Sequence, residues 1–261
     1  MSTIVKTEAI VLKSIDFKES SKIVTFYTGQ FGKLVGMVKG ARRPKSKFSA
    51  SLQPMSYVSI IVYKKEGREI QTISQCDLIK SFRNLYEDIE KMSVGISIIE
   101  LVNLVTPEHA ENRQLFHLLV NSLNALNDAI QNPLNLLFYF EIHLARVLGF
   151  QPVFDRCISC KKELRRIKEG TVYKFNIEKG GLACTQCSRK LSNPILLPAA
   201  VLTILHKILL SNQIEFVFDL EIKPEVRRIL ENFNWAYLRY HLPGIQILKS
   251  RGVFSKILGK I

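Results

Sequence analysis

The hydrophobic pattern of this 261-residue chain changes period once, near Lys80, and that change divides what it can fold into. Before it, short runs rich in β-branched and aromatic residues recur at Ala9 to Lys13, Lys22 to Thr28, Lys33 to Lys39, Tyr57 to Lys64 and Glu69 to Ile79, the signature of strands separated by turns. In the fourth run Val58, Ile60 and Val62 alternate with Tyr57, Ser59, Ile61 and Tyr63. A strand so nearly apolar on both faces suits a closed barrel. Five strands with a longer connection, Gly40 to Pro54, between the third and fourth have the count and spacing of an OB-fold. Periodicity alone does not separate that from an SH3-like barrel.

Beyond Lys80 the spacing becomes helical. Leu115, Leu119, Leu123, Leu126 and Ile130 mark one face of an amphipathic helix. Asn132-Pro133 predicts an N-cap and first-turn proline for a second helix ending at Gly149, apolar nearly all round and therefore central in a bundle. Pro198 and Pro224 predict two more, Ala199 to Leu210 and Glu225 to about His241. The class is α+β: an N-terminal five-stranded barrel, OB-fold or SH3-like, at 1–80, then a mainly α-helical domain at 81–261 in which a four-cysteine zinc module is expected at 151–197.

That module rests on Cys157, Cys160, Cys184 and Cys187, two CxxC pairs separated by 23 residues. Two thiolates three positions apart bind one tetrahedral Zn²⁺ from a tight turn, and a second pair closes the shell. Four sulfurs with no open position make a structural zinc site. Paired redox motifs and plain buried cysteines are the competing readings; the repeated spacing favours the metal. Val172, Tyr173 and Phe175 predict a hairpin across the site, and Cys76 reads as a small buried hydrophobe.

Function is signalled by charge. Lys33 to Lys47 reads KLVGMVKGARRPKSK, six Lys or Arg in fifteen residues without an acid. A charge run alone is most often a solvated face, but the whole chain carries +14, which favours a polyanionic partner. Clustered cations grip nucleic acid by releasing condensed counterions from its phosphates, with no need to read bases. Phe26, Tyr27, Phe31, Phe48, Tyr57 and Tyr63 are candidates for base stacking, with half or more assigned to the core. No phosphate loop, dinucleotide fingerprint, HExxH or GxSxG occurs, and the five histidines are scattered. Nothing nominates a catalytic group, so the chain is read as no enzyme. Glu8, Lys6 and Lys13 interrupt the N-terminal apolar pattern, and Glu141, His143 and Arg146 interrupt the stretch Leu134 to Phe150. Signal peptide and membrane span are both disfavoured, and cytoplasm is the expected compartment.

Three segments occur in a telling order: DFKESSKIVTFYTGQFGKLVGMVKGARRPKSKFSASLQP (Asp16 to Pro54), the cysteine quartet after Leu148 to Phe150, and YHLPGIQILKSR (Tyr240 to Arg251). Together they resemble the bacterial recombination mediator family RecO across nearly the whole chain. The resemblance implies an OB-fold, a helical domain and a zinc module, which some members lack. It also implies a DNA repair function: binding single- and double-stranded DNA, annealing complementary strands, and helping RecA, with RecR, replace single-strand-binding protein, whose acidic tail the family binds. Carried over by position, Lys39, Arg42, Arg43, Lys45 and Lys47 become DNA-binding candidates, Lys33 joins them by proximity, and Lys249 and Arg251 match the basic C-terminal element. Arg165, Arg166 and Lys168 are further cations near the cysteines. The competing functional class is an OB and zinc adaptor, or an RNA-binding protein, gripping an acidic partner.

Overall fold

The computed structural model describes residues 2–48, 50–164, 167–211, 213–242, 244, 245, 248 and 250. Its contacts separate two compact units, one running through Asp128 and regaining the chain from Leu248, the other spanning Ala129–Ile247.

The first unit opens with β1 (Ser2–Phe17), β2 (Ser21–Thr28), β3 (Gly32–Val38), β4 (Tyr57–Lys65) and β5 (Ile70–Lys80). They close a barrel in the order β1-β2-β3-β5-β4, antiparallel throughout except for β3 against β5. That parallel seam and strand order are those of an OB-fold and resolve the ambiguity that periodicity leaves. The first strand is far longer than Ala9 to Lys13, because it serves two partners. Ser2 to Ile10 pairs with β4, Ala9 to Phe17 pairs with β2, and a bulge between Val11 and Lys13 bends the strand from one to the other. Lys6 and Glu8, which break the apolar pattern in sequence, sit exposed on its outer face. At the parallel seam a Cβ on Gly36 would come within 2.5 Å of Ile73, so glycine there lets the barrel close.

Alternation fills the interior: Val24, Phe26, Leu34, Val38, Val58, Ile60, Val62 and Ile73 are all buried in one cluster, with Cys76 among them as expected. Burial raises the Cys76 thiol to about 11, keeping it protonated. Three residues of the β3–β4 connection, Ala41, Phe48 and Leu52, belong to the same cluster. After the barrel come α1 (Asn84–Glu87), α2 (Ile89–Val105) and α3 (Arg113–Asp128). The Asp88 carboxylate caps α2 by accepting from the amides of Glu90 and Lys91. Leu115, Leu119, Leu123 and Leu126 are fully buried along α3, but Ile130 lies past its end and is 99% exposed; the four-residue spacing there continues beyond the helix by coincidence. Leu248 and Ser250 are buried in this unit, where the Ser250 amide donates to Glu100 of α2 at 3.0 Å.

The second unit holds α4 (Asn135–Val147), β6 (Val172–Asn176), β7 (Gly181–Ala183), β8 (Ile195–Pro198), α5 (Ala199–Leu210) and α6 (Pro224–His241). Every residue of α4 from Asn135 to Ala145 is buried, as its all-round apolar sequence requires. Its end is a Schellman motif: Phe150 donates to Ala145 and Gly149, at φ +89°, to Arg146. Its start differs from expectation. Asn132 does not cap; it occupies a left-handed turn at φ +46°, and its amide nitrogen donates to the Phe218 carbonyl, fixing the segment Glu215–Asp219. Rings from Phe154, Phe175, Phe233 and Tyr237 interlock to pin the sheet β7-β6-β8 on α6.

Candidate nucleic-acid interface and metal centre

The basic run is shaped by its apolar neighbours. Ala41 and Phe48, at 5% and 8% exposure, dip into the barrel core, and the chain between them has to arch outward. Arg42, Arg43, Pro44, Lys45 and Lys47 are exposed on that arch. Ser46 donates its amide to the Arg43 carbonyl at 3.0 Å, with Pro44 and then Lys45 at φ +61° between them, the geometry of a type II turn. Lys45 accepts a left-handed backbone that glycine would hold more easily, which places a cation at the tip. Among the described residues no acid is within ion-pair distance of Lys39, Arg43, Lys45 or Lys47.

Arg42 differs from these. Its Nη1 donates to the Lys18 carbonyl at 2.7 Å, its Nε lies 3.2 Å from Asp16, and its amide donates to the Ser20 carbonyl. Lys22 also binds Asp16, at 2.7 Å, and with Arg42 holds that exposed carboxyl below its ordinary range, the Lys22 bond being the larger cause. Arg42 thus braces the arch against the β1–β2 turn. Lys33 stands apart altogether. It begins β3, roughly 20 Å along the strand from Lys39 at ~3.3 Å per residue, and its Nζ donates to the Asn103 carbonyl of α2 at 2.9 Å. Burial lowers its pKa, with Glu108 opposing. Lys249, Arg251, Arg165 and Arg166 lie outside the described residues; Lys168 donates its amide to the Tyr173 hydroxyl.

The aromatic candidates divide sharply. Phe26, Tyr27 and Phe48 are buried and structural, Phe31 and Tyr57 are half-buried, and only Tyr63, at 43%, is well exposed. Around the arch, the outward positions of β1, β2 and β3 include the aliphatic Ile15, Ile23, Val35 and Met37, and one half-buried ring, Phe17, beside the β1–β2 turn.

In the second unit the four cysteine sulfurs all lie within 4.8 Å of one another, with Cys160 and Cys184 Sγ at 3.7 Å. Sulfurs bound at 2.3 Å around a tetrahedral ion would be spaced by about 3.8 Å, so the cluster fits one metal. Each pair forms a knuckle: Lys161, at φ +62°, donates to the Cys157 carbonyl, and Ser188 donates to that of Cys184 at the start of a short 3-10 turn, Cys187–Lys190. The predicted hairpin is present as β6 and β7, whose Ala183 leads into Cys184. Burial works against ionisation of Cys157, yet hydrogen bonds from the backbone at Cys160, Cys184 and Ser159 outweigh it and bring that thiol down to about 6. Cys184 is lowered by similar contacts, first from the Cys187 backbone, whereas hydrogen bonding with Cys184 and Cys160 pushes Cys187 up to about 12. Sulfurs sharing protons so unequally are groups that a cation would satisfy together.

No helix among the described residues is long and apolar enough to cross a membrane. Residues 1–82 match the family model described as recombination protein O N terminal, and residues 86–251 match the one described as recombination protein O C terminal. Among curated relatives, the DNA repair protein RecO of Salinibacter ruber is 35% identical, with the match covering 98% of this chain and 95% of that one. Those of Chloroherpeton thalassium and Bacillus pumilus are 29% and 30% identical, again over almost the full length of each chain. With a closed five-stranded barrel, a helical second half and both family models matched in sequence, the chain belongs to the RecO family of DNA repair proteins.

Proposed function

We propose that this chain is a DNA-binding recombination mediator. It holds single- and double-stranded DNA by the phosphate backbone, anneals complementary strands, and with RecR helps RecA load onto DNA coated by single-strand-binding protein, gripping that protein's acidic tail. One observation carries the reading: Arg43, Lys45 and Lys47 on an arch anchored in the barrel core, and Lys39 at its foot, stand exposed with no paired acid among the described residues. Such a loop holds a strand firmly, yet the grip is salt-labile and indifferent to sequence, as handing DNA to another protein demands. A cationic surface also screens two strands from each other while leaving their bases free to pair. Binding and pairing of this kind need no catalytic group. Arg42 contributes by fixing the arch, and Lys33, Lys249 and Arg251 are secondary contacts. Cys157, Cys160, Cys184 and Cys187 hold one structural Zn²⁺, and the protein works in the cytoplasm, at the nucleoid.

The test is fluorescence anisotropy on the full chain carrying Arg43→Glu and Lys45→Glu. Hydrogen bonds to charged groups are worth about 1.5–3 kcal/mol, so affinity for DNA should fall at least ~10-fold regardless of sequence, and annealing should fall with it. Unchanged affinity at moderate salt would remove the loop from the account. Strong preference for RNA in direct competition would favour the RNA-binding alternative.

A further inference from the structure

A cavity of about 480 Å³ opens in the first unit at the far end of the barrel from the arch. It is bounded by the β2–β3 turn, β1, Ser59 of β4 and α3, and β3 separates it from the basic loop by seven residues, roughly 23 Å. The volume is within the range of small-molecule sites. Its chemistry is mixed in an ordered way. Lys6 and Arg113 supply cations on the rim; the Arg113 Nε donates to Glu111 at 2.8 Å, and its terminal amino groups remain for a ligand. The ring of Phe116 forms part of the wall, packed against the turn so closely that a Cβ on Gly29 would meet it at 3.1 Å. The exposed imidazole of His117 stands edge-on to that ring at 6.1 Å. Two positions from Lys6 on the same outer face of β1 is the Glu8 carboxylate, which accepts a hydrogen bond from the Tyr57 hydroxyl. Burial, and then Glu8 itself, raise the Tyr57 phenol to about 12, so it stays a donor and fixes the carboxylate in place.

We infer that this cavity is a second ligand site, built for one nucleotide. A fitting ligand needs an anion for Arg113 and Lys6, a flat apolar face for His117 and Phe116, and an N–H donor for Glu8. Inorganic phosphate offers the first alone, and a fatty acid lacks the last. A nucleoside monophosphate offers all three: its phosphate, its base plane, and the amino or ring N–H groups of adenine, guanine or cytosine. The nucleotide has two possible sources, a free mononucleotide or one residue of a bound strand, and the chemistry recognised is the same. Because the cavity shares no residue with the arch, its occupancy by a free mononucleotide is independent of the function proposed above, whereas occupancy by a residue of a strand rests on it.

The experiment is isothermal titration of the full chain with AMP and with GMP, compared with inorganic phosphate. Saturable one-to-one binding of a nucleotide is expected, weakened at least ~5-fold by Arg113→Ala and by His117→Ala, partly restored by His117→Phe, and unaltered by Lys45→Ala on the arch. Thermal melting verifies that these exposed substitutions leave the fold intact. Repeating the titration with saturating oligonucleotide separates the sources: competition means the site takes a nucleotide of the strand, and undiminished binding means it takes a free one. The inference is overturned if neither nucleotide binds saturably, if phosphate binds as well as they do, or if Lys45→Ala abolishes binding while Arg113→Ala leaves it unchanged.

Discussion

The barrel and the cysteine module are both small β structures, yet they are held together by different means. In the barrel, fourteen buried residues from all five strands and the β3–β4 connection share one cluster, and each ladder closes on the next. The cluster around the cysteines contains three buried residues, Cys157, Ala183 and Cys184, with Leu164, Cys187 and Leu191 partly covered around them, while Phe154, Phe175, Leu182 and Leu197 of the same module are buried outside that cluster. Two of that cluster's three buried residues belong to the cysteine quartet. Apolar burial around the cysteines contributes a few kcal/mol at most at about 1.5–3 kcal/mol per large side chain, so the knuckles are expected to depend on a bound ion. A barrel with its own core can carry a strained, highly charged loop on its surface; the cysteine knuckles have no such reserve of their own.

The largest expected effect follows from that dependence. Structural zinc contributes on the order of 10 kcal/mol to small zinc-dependent folds, so Cys157→Ser should release the metal and expose residues near the knuckles to protease. Metal analysis should show about one Zn²⁺ per wild-type chain and a marked loss in the variant, with DNA affinity changed only indirectly. Zinc-free wild-type protein, freshly purified under reducing conditions, would break the comparison on the module's side.

Next comes the barrel core. Phe26→Ala removes a fully buried ring and should cost about 3–5 kcal/mol by leaving a cavity. Denaturant unfolding should register that loss while zinc content stays at wild-type level. Loss of zinc together with the barrel would mean that the two regions are not separately stabilised.

Arg42→Lys sharpens the account at smaller scale. It keeps the positive charge but loses the planar fork that joins Asp16 to the Lys18 carbonyl. DNA affinity should fall about 2- to 5-fold, less than for Arg43→Glu with Lys45→Glu, and hydrogen exchange at Lys18 to Ser21 should quicken. Unaltered exchange there would show that Arg42 is not a brace.

The same contrast explains what the sequence conveys. Strand number, the two proline-initiated helices α5 and α6, the Gly149 stop and the cysteine quartet are local signals, carried by residues within a few positions of each other. Features decided by distant partners are hidden. The second half of the barrel's first strand and its bulge are set by which neighbour each segment meets, and the Lys6 and Glu8 side chains conceal the pairing with β4. Asn132 looks like a cap because the Phe218 carbonyl that claims its side chain is 86 residues away. The charge run coincides with the exposed arch but does not distinguish the cations of Arg43 and Lys45 from the strut of Arg42 or from Lys33 bound to α2. Nor does any local pattern announce the cavity at Arg113 and His117, whose walls come from four separate segments.

The central claim, that the arch holds DNA through backbone phosphate and not through stacked bases, is tested most directly by the salt dependence of single-strand binding. Four phosphate contacts, one each for Lys39, Arg43, Lys45 and Lys47, predict a slope of log affinity against log salt near ~ −3, falling by about 0.7 for each cation changed to Ala. Poly(dT) and mixed-sequence strands should give the same slope. A slope near zero, or one that Lys45→Ala and Lys47→Ala leave untouched, would contradict it.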